Sequence, residues 1–149
     1  MRIIYKTRKC FAAMALSAAL TACQTLGPGG LPASRAMPEL SPAASQAIAD
    51  DMTARLTEVA APQAVQIKGD QTAFATALEG SLARAGYTIA TTDEKAVSDT
   101  GLRLAYVVEE FEGSVLARLA TEAADLGRVY RVTGDSVEPA SPVSIKRRG

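Results

Sequence analysis

Whatever chemistry this chain performs is done without histidine, because none occurs among its 149 residues. That removes the commonest general base and the commonest zinc ligand, and with them any His-dependent catalytic triad. Two cysteines, Cys10 and Cys23, remain beside 16 carboxylates and 16 Lys and Arg side chains. Glu109, Glu110 and Glu112 cluster around Phe111. A calcium loop needs acidic or amide ligands at alternate positions followed by a glycine, and that pattern is absent. The cluster reads as a solvated hairpin end. Paired carboxylates can hydrolyse glycosides, but their separation is not readable from a sequence. Ser81 with Lys68 or Lys95 has no spacing that favours a Ser–Lys nucleophile. Gly27-Pro28-Gly29-Gly30 has no strand before it, so it is no phosphate loop. A formal net charge of zero leaves no basic excess for nucleic acid. The expectation is a chain without a catalytic residue, a metal or a nucleic-acid partner.

One thiol does have a reaction to perform. Residues 1–9 carry Arg2, Lys6, Arg8 and Lys9 and no acid, and Phe11–Leu20 follows without a charge. A positive segment and a short apolar run are the parts of a signal peptide. A membrane span needs roughly 20 apolar residues, so this run is too short for one. It ends in Leu20-Thr21-Ala22-Cys23, which resembles the bacterial lipobox. Small side chains at Thr21 and Ala22 let the backbone enter a signal peptidase in extended form, with Leu20 completing the recognition box. The Cys23 thiol then accepts diacylglycerol as a thioether, and cleavage before it frees an amine for a further acyl chain. No other cofactor is expected. Residues 1–22 are thus read as removed. The mature chain keeps 16 − 4 = 12 cations against 16 acids, a net of −4. Cys10 leaves with the signal, so no thiol remains for a disulfide. Gln24 stands after the cysteine where Asp would retain a lipoprotein in the inner membrane. The expected location is the outer membrane, lipid-anchored, with the domain facing the periplasm.

The elements that follow are predicted from periodicity. Residues 23–40 read as the lipidated cysteine and a Gly/Pro-rich tether without a periodic apolar face. Residues 41–137 read as one periplasmic domain. Ser41-Pro42 opens a helix whose stripe is Ile48, Met52, Leu56 and Val59, stopped by Pro62. Ala64–Lys68 is a short strand. A second helix, with Asp70 as its N-cap, presents Phe74, Leu78, Leu82 and Ala85 and stops at Gly86. Tyr87–Ala90 is a strand, so a βαβ-like unit is expected. Thr91–Thr100 reads as a polar loop. Alternation then predicts strands over 102–109, 115–120 and 129–133, with turns at Glu110–Gly113 and Ala123–Gly127. From Ser136 onward Pro139, Pro142 and the run Lys146-Arg147-Arg148 mark a disordered end, with 138–149 as a basic tail. The fold class is α+β in two layers, two helices on one face of a mixed or antiparallel sheet of three to five strands.

Arg103, Arg118, Arg128 and Arg131 lie on or beside these strands and could form a basic stripe. Cross-strand pairing with Glu109 and Glu122 is the alternative. Arg is enriched at interface cores, so Arg103, Arg118 and Arg131 mark the candidate partner-binding face.

The order of these features has a counterpart. The box at Leu20–Cys23, the tether, Phe74–Ala90 (FATALEGSLARAGYTIA), Leu102–Leu119 (LRLAYVVEEFEGSVLARL) and Gly127–Val132 (GRVYRV) together resemble the TrbH-type conjugal transfer lipoproteins. The resemblance spans Leu20–Pro139. It implies a structural or assembly component of a plasmid mating-pair formation system, a type IV secretion apparatus, that binds other secretion-channel proteins and is no enzyme. Only Cys23 takes a family role. A pilotin-like assembly lipoprotein of a secretin or flagellar ring, and a peptidoglycan-active envelope protein, remain the other readings.

Overall fold

The computed structural model describes residues 30–37, 39–90 and 101–149. The signal segment, Leu20, Thr21, Ala22, Cys23 and the expected loop Thr91–Thr100 lie outside the described residues.

Helix α1 spans Pro42–Thr57. Ser41 caps it, accepting the Ala44 N–H at 3.1 Å, and Pro42 occupies the first turn, where its missing N–H would have had no partner. Ile48, Met52 and Leu56 are fully buried, and Val59 packs on the same core beyond the helix end. Helix α2 spans Ala73–Arg84, and its N-cap is Thr72 rather than Asp70. Thr72 Oγ1 accepts the Ala75 N–H at 3.3 Å and itself donates to Asp70 Oδ1 at 2.5 Å, so the acid supports the cap from two positions further out. Phe74, Leu78 and Leu82 form the buried stripe, and Gly86 ends the element at φ +94°, a conformation that favours glycine.

The sheet has seven strands, more than the three to five expected: β1 Ala64–Ile67, β2 Thr88–Ala90, β3 Leu102–Phe111, β4 Ser114–Thr121, β5 Ala124–Thr133, β6 Ser136–Pro139 and β7 Ser144–Arg147. Their order is β2-β1-β3-β4-β5-β6, with β7 also on β5. β1 pairs in parallel with β2 and β3, which makes β1-α2-β2 the expected βαβ unit, and the other pairings are antiparallel. The fold is α+β, with both helices on the face formed by Leu104, Tyr106, Val108, Val115, Ala117, Leu119, Leu126 and Tyr130.

Three segments depart from expectation. β5 starts at Ala124, not 129, because Thr121 Oγ1 accepts the N–H groups of Ala123 and Ala124 and closes a tight turn. The end read as a tail is part of the sheet. Gly134, at φ +61°, sits in a two-residue turn between Thr133 and Ser136, and β6 and β7 then run along the same side of β5. The ladder is interrupted at Ser141–Val143, where the Ser141 hydroxyl accepts the Val129 N–H at 3.0 Å and its carbonyl accepts Arg128 Nε at 3.0 Å. Within the expected tether, the described residues from Gly30 to Leu40 form a strap against the domain. Leu31 is buried against Ala105 and Ala120 on the face away from the helices. Arg35 then pairs in parallel with β3, donating to Tyr106 O and accepting from Val108 N at 3.0 Å each. The reason is a length mismatch. β1 ends at Ile67 opposite Leu104, so the next backbone groups of β3 need another partner, and the strap supplies it. Leu40 finally enters the helix-side core.

Candidate functional site

Alternation along the strands places Arg103, Arg118 and Arg131 together on the face opposite the helices, and all three are exposed. Their situations differ. Arg103 pairs with Glu122, a cross-strand neighbour. Arg131 faces Glu138 in register, at 3.9 Å. Arg118 has no ion-pair partner among the described residues. It lies between Val107 on β3 and Gly127 on β5, and its Cγ is 3.7 Å from where a Gly127 side chain would begin. The aliphatic stem therefore lies flat over the glycine and the guanidinium reaches solvent. Half-buried Leu116 and Val129 oppose each other on the same face, and Phe111 at the end of β3 is 51% exposed. An unpaired cation beside apolar side chains is the composition of a protein-binding surface.

Arg128 does not join this face. It turns to the helix side, where Nη1 donates to both oxygens of Asp51 at 3.0 and 2.9 Å. Tyr130 donates to the same carboxylate at 2.6 Å, and burial, with Asp51 beside it, pushes its hydroxyl pKa up. Glu109 pairs with Arg35 of the strap at 2.7 Å and not with a strand arginine. Ser81 is bonded to Asp50, Gln46, Arg84 and the Ala77 carbonyl, so it belongs to a helix-to-helix polar contact and not to a Ser–Lys pair. Burial works to raise the Asp50 carboxyl, but the bonds from Ser81, Arg84 and Gln46 outweigh it and hold the group below its ordinary range.

The strap is tied down at Asp70. Its carboxylate accepts from Tyr106 OH at 2.8 Å, from Thr72 Oγ1 and N, and from the Ala36 N–H at 3.0 Å. Burial opposes ionisation there too, yet these donors together lower the Asp70 pKa. Burial above all, with Asp70 adding to it, pushes the Tyr106 hydroxyl to about 12. Between strap and sheet lies a groove of about 380 Å³ lined by Leu31, Ser34, Gln66, Lys68, Arg103 and Ala105. Sequence reasoning gave Asp70 only as a helix cap and missed Asp51 and the strap, since their partners lie far along the chain. The described residues contain no group of His, Cys, Asp and Glu that could hold a metal ion, and no helix among them is long and apolar enough to cross a membrane.

Comparison with known proteins supplies the context for this face. A family described as "Conjugal transfer protein TrbH" matches residues 26–149. The "Probable conjugal transfer protein TrbH" of Sinorhizobium fredii (strain NBRC 101917 / NGR234) is 40% identical over 147 residues, covering 95% of this chain and 99% of that protein. No solved structure matches the chain.

Proposed function

The chain belongs to the TrbH family of conjugal transfer proteins, and from that premise we propose that it is a non-catalytic adapter of the mating-pair formation apparatus, anchored in the outer membrane by lipid on Cys23. Family membership supports the role in conjugative transfer. The adapter reading rests on one observation: Arg118 stands unpaired beside Leu116 and Val129, with exposed Phe111 further along the same sheet face, which the helices leave open. That face binds a channel subunit of the type IV secretion machine, with Arg118 as its central cation and Arg103 and Arg131 at its margins. The lipid holds the domain at the membrane and the face holds the subunit, so anchoring and binding together account for the activity without a reaction.

The test is the pair Arg118→Glu with Arg131→Glu. Exposed charges change stability little, whereas a reversed charge opposite a partner reduces binding by several kcal/mol. Copurification of transfer proteins from membranes and plasmid transfer frequency should both fall, while circular dichroism stays that of the parent. Normal capture and normal transfer by the folded double variant would remove this face.

A further inference from the structure

The far edge of the sheet is built in two halves that treat an incoming strand differently. Ala140 donates to Val129 O and Arg148 to Ala123 O, both at 2.8 Å, which fixes the residues of this edge that point back to β5. Antiparallel alternation then turns the backbone groups of Val137, Pro139, Ile145 and Arg147 outward. The β6 half is blunted, since Pro139 has no N–H to offer and the ladder is broken just beyond it, which leaves Val137 as its one outward N–H. The β7 half is open. Among the described residues no strand pairs with the outer side of Ile145 and Arg147, and the Ile145 side chain is 39% exposed. Proline blunts one half of the edge while the other half keeps donors, acceptors and an apolar side chain.

Charge decides what fits. Lys146 and Arg147 are exposed and have no ion pair among the described residues, whereas Arg148 is held by Asp125 at 2.7 Å. A second copy adding its own β7 would bring cation against cation, so the edge disfavours self-pairing. We propose that β7 takes up an extended, acidic segment of a partner protein as an additional strand. The backbone of Ile145 and Arg147 pairs with it, an apolar residue covers Ile145, and two successive carboxylates meet Lys146 and Arg147 on the two faces. This site stands on the edge alone and is separate from Cys23 and the arginine face.

The probe is a capped peptide of sequence Thr-Val-Glu-Glu-Val-Thr, titrated into the isotope-labelled full chain in detergent and followed by amide NMR. Amide shifts should be centred on Val143–Arg147, with solvent exchange slowed at Ile145 and Arg147. Lys146→Glu with Arg147→Glu should weaken the response at least tenfold and transfer it to the peptide with lysines in place of glutamates. Ile145→Pro deletes an outward N–H while sparing the inward bonds of Lys146 and Arg148, and should abolish the response. An undiminished response in Ile145→Pro means charge adhesion without strand pairing and overturns the proposal. So do equal responses to the acidic and lysine peptides, shifts centred on Arg118, or no response. If Ile145→Pro disturbs the inward ladder, the exchange rates of the parent and the charge-reversed pair decide.

Discussion

Asp70 receives donors from three parts of the chain: Ala36 of the strap, Thr72 of the α2 cap and Tyr106 of β3. Its carboxyl and that of Asp50 lie below the ordinary value of 3.8, so folding favours their ionised forms. The sign follows from linkage: their contribution is present above about pH 4 and is lost as pH falls through the folded-state values. The thermal midpoint should be level between about pH 5 and 8 and should drop below about pH 4, and Asp70→Asn should make that acid drop shallower. A variant with the parent's acid profile would show that Asp70 does not contribute to it. Tyr106, raised from 10.0 to about 12, works at the other end. Its neutral hydroxyl is stabilising below about pH 10, and that contribution disappears as pH rises toward 12.

The helices were legible because their signals are local. Ser41-Pro42 marks a start, and the stripe Phe74, Leu78, Leu82 faces the core as its four-residue spacing requires. Leu78→Ala should destabilise the domain by about 2–5 kcal/mol, the range for a core leucine. A denaturant midpoint equal to the parent's would place that face outside the core. β5 was only half legible. Arg128 interrupts the apolar alternation of Ala124, Leu126 and Tyr130, and the carboxylate that makes its inward position tolerable is Asp51, 77 residues earlier. β6 and β7 were illegible for a related reason. Pro139, Pro142 and a basic run are the composition of a tail, while backbone pairing to β5 and the Arg148–Asp125 pair are long-range. The strap was hidden likewise, since its seat is the stretch of β3 that the short β1 leaves open. Of the candidate site, the three exposed arginines were readable from alternation. Pairing with Glu122 was among the sequence readings, whereas the Arg131–Glu138 pair, and with it which arginine stands unpaired, depended on β6, which the sequence does not display.

At the scale of the whole molecule, strap and C-terminal strand meet: Arg148 Nη1 lies 3.4 Å from the Gly30 carbonyl. On the proposed anchoring, Cys23 stands seven positions before that contact. Cys23→Ser should stop fatty-acid incorporation and leave unprocessed precursor, and label retained by the serine variant would exclude this anchor. The strap has a mechanical consequence. Tension applied ahead of Gly30 meets the Arg148 contact first, then Leu31 against Ala105 and Ala120, then the two Arg35 bonds to β3, an interior strand. A partner held on β7 would pull from a point beside Arg148. The line of force between anchor and partner then crosses one end of the sheet, from β7 over β5 and β4 to β3, and the helices and their core lie on the other face.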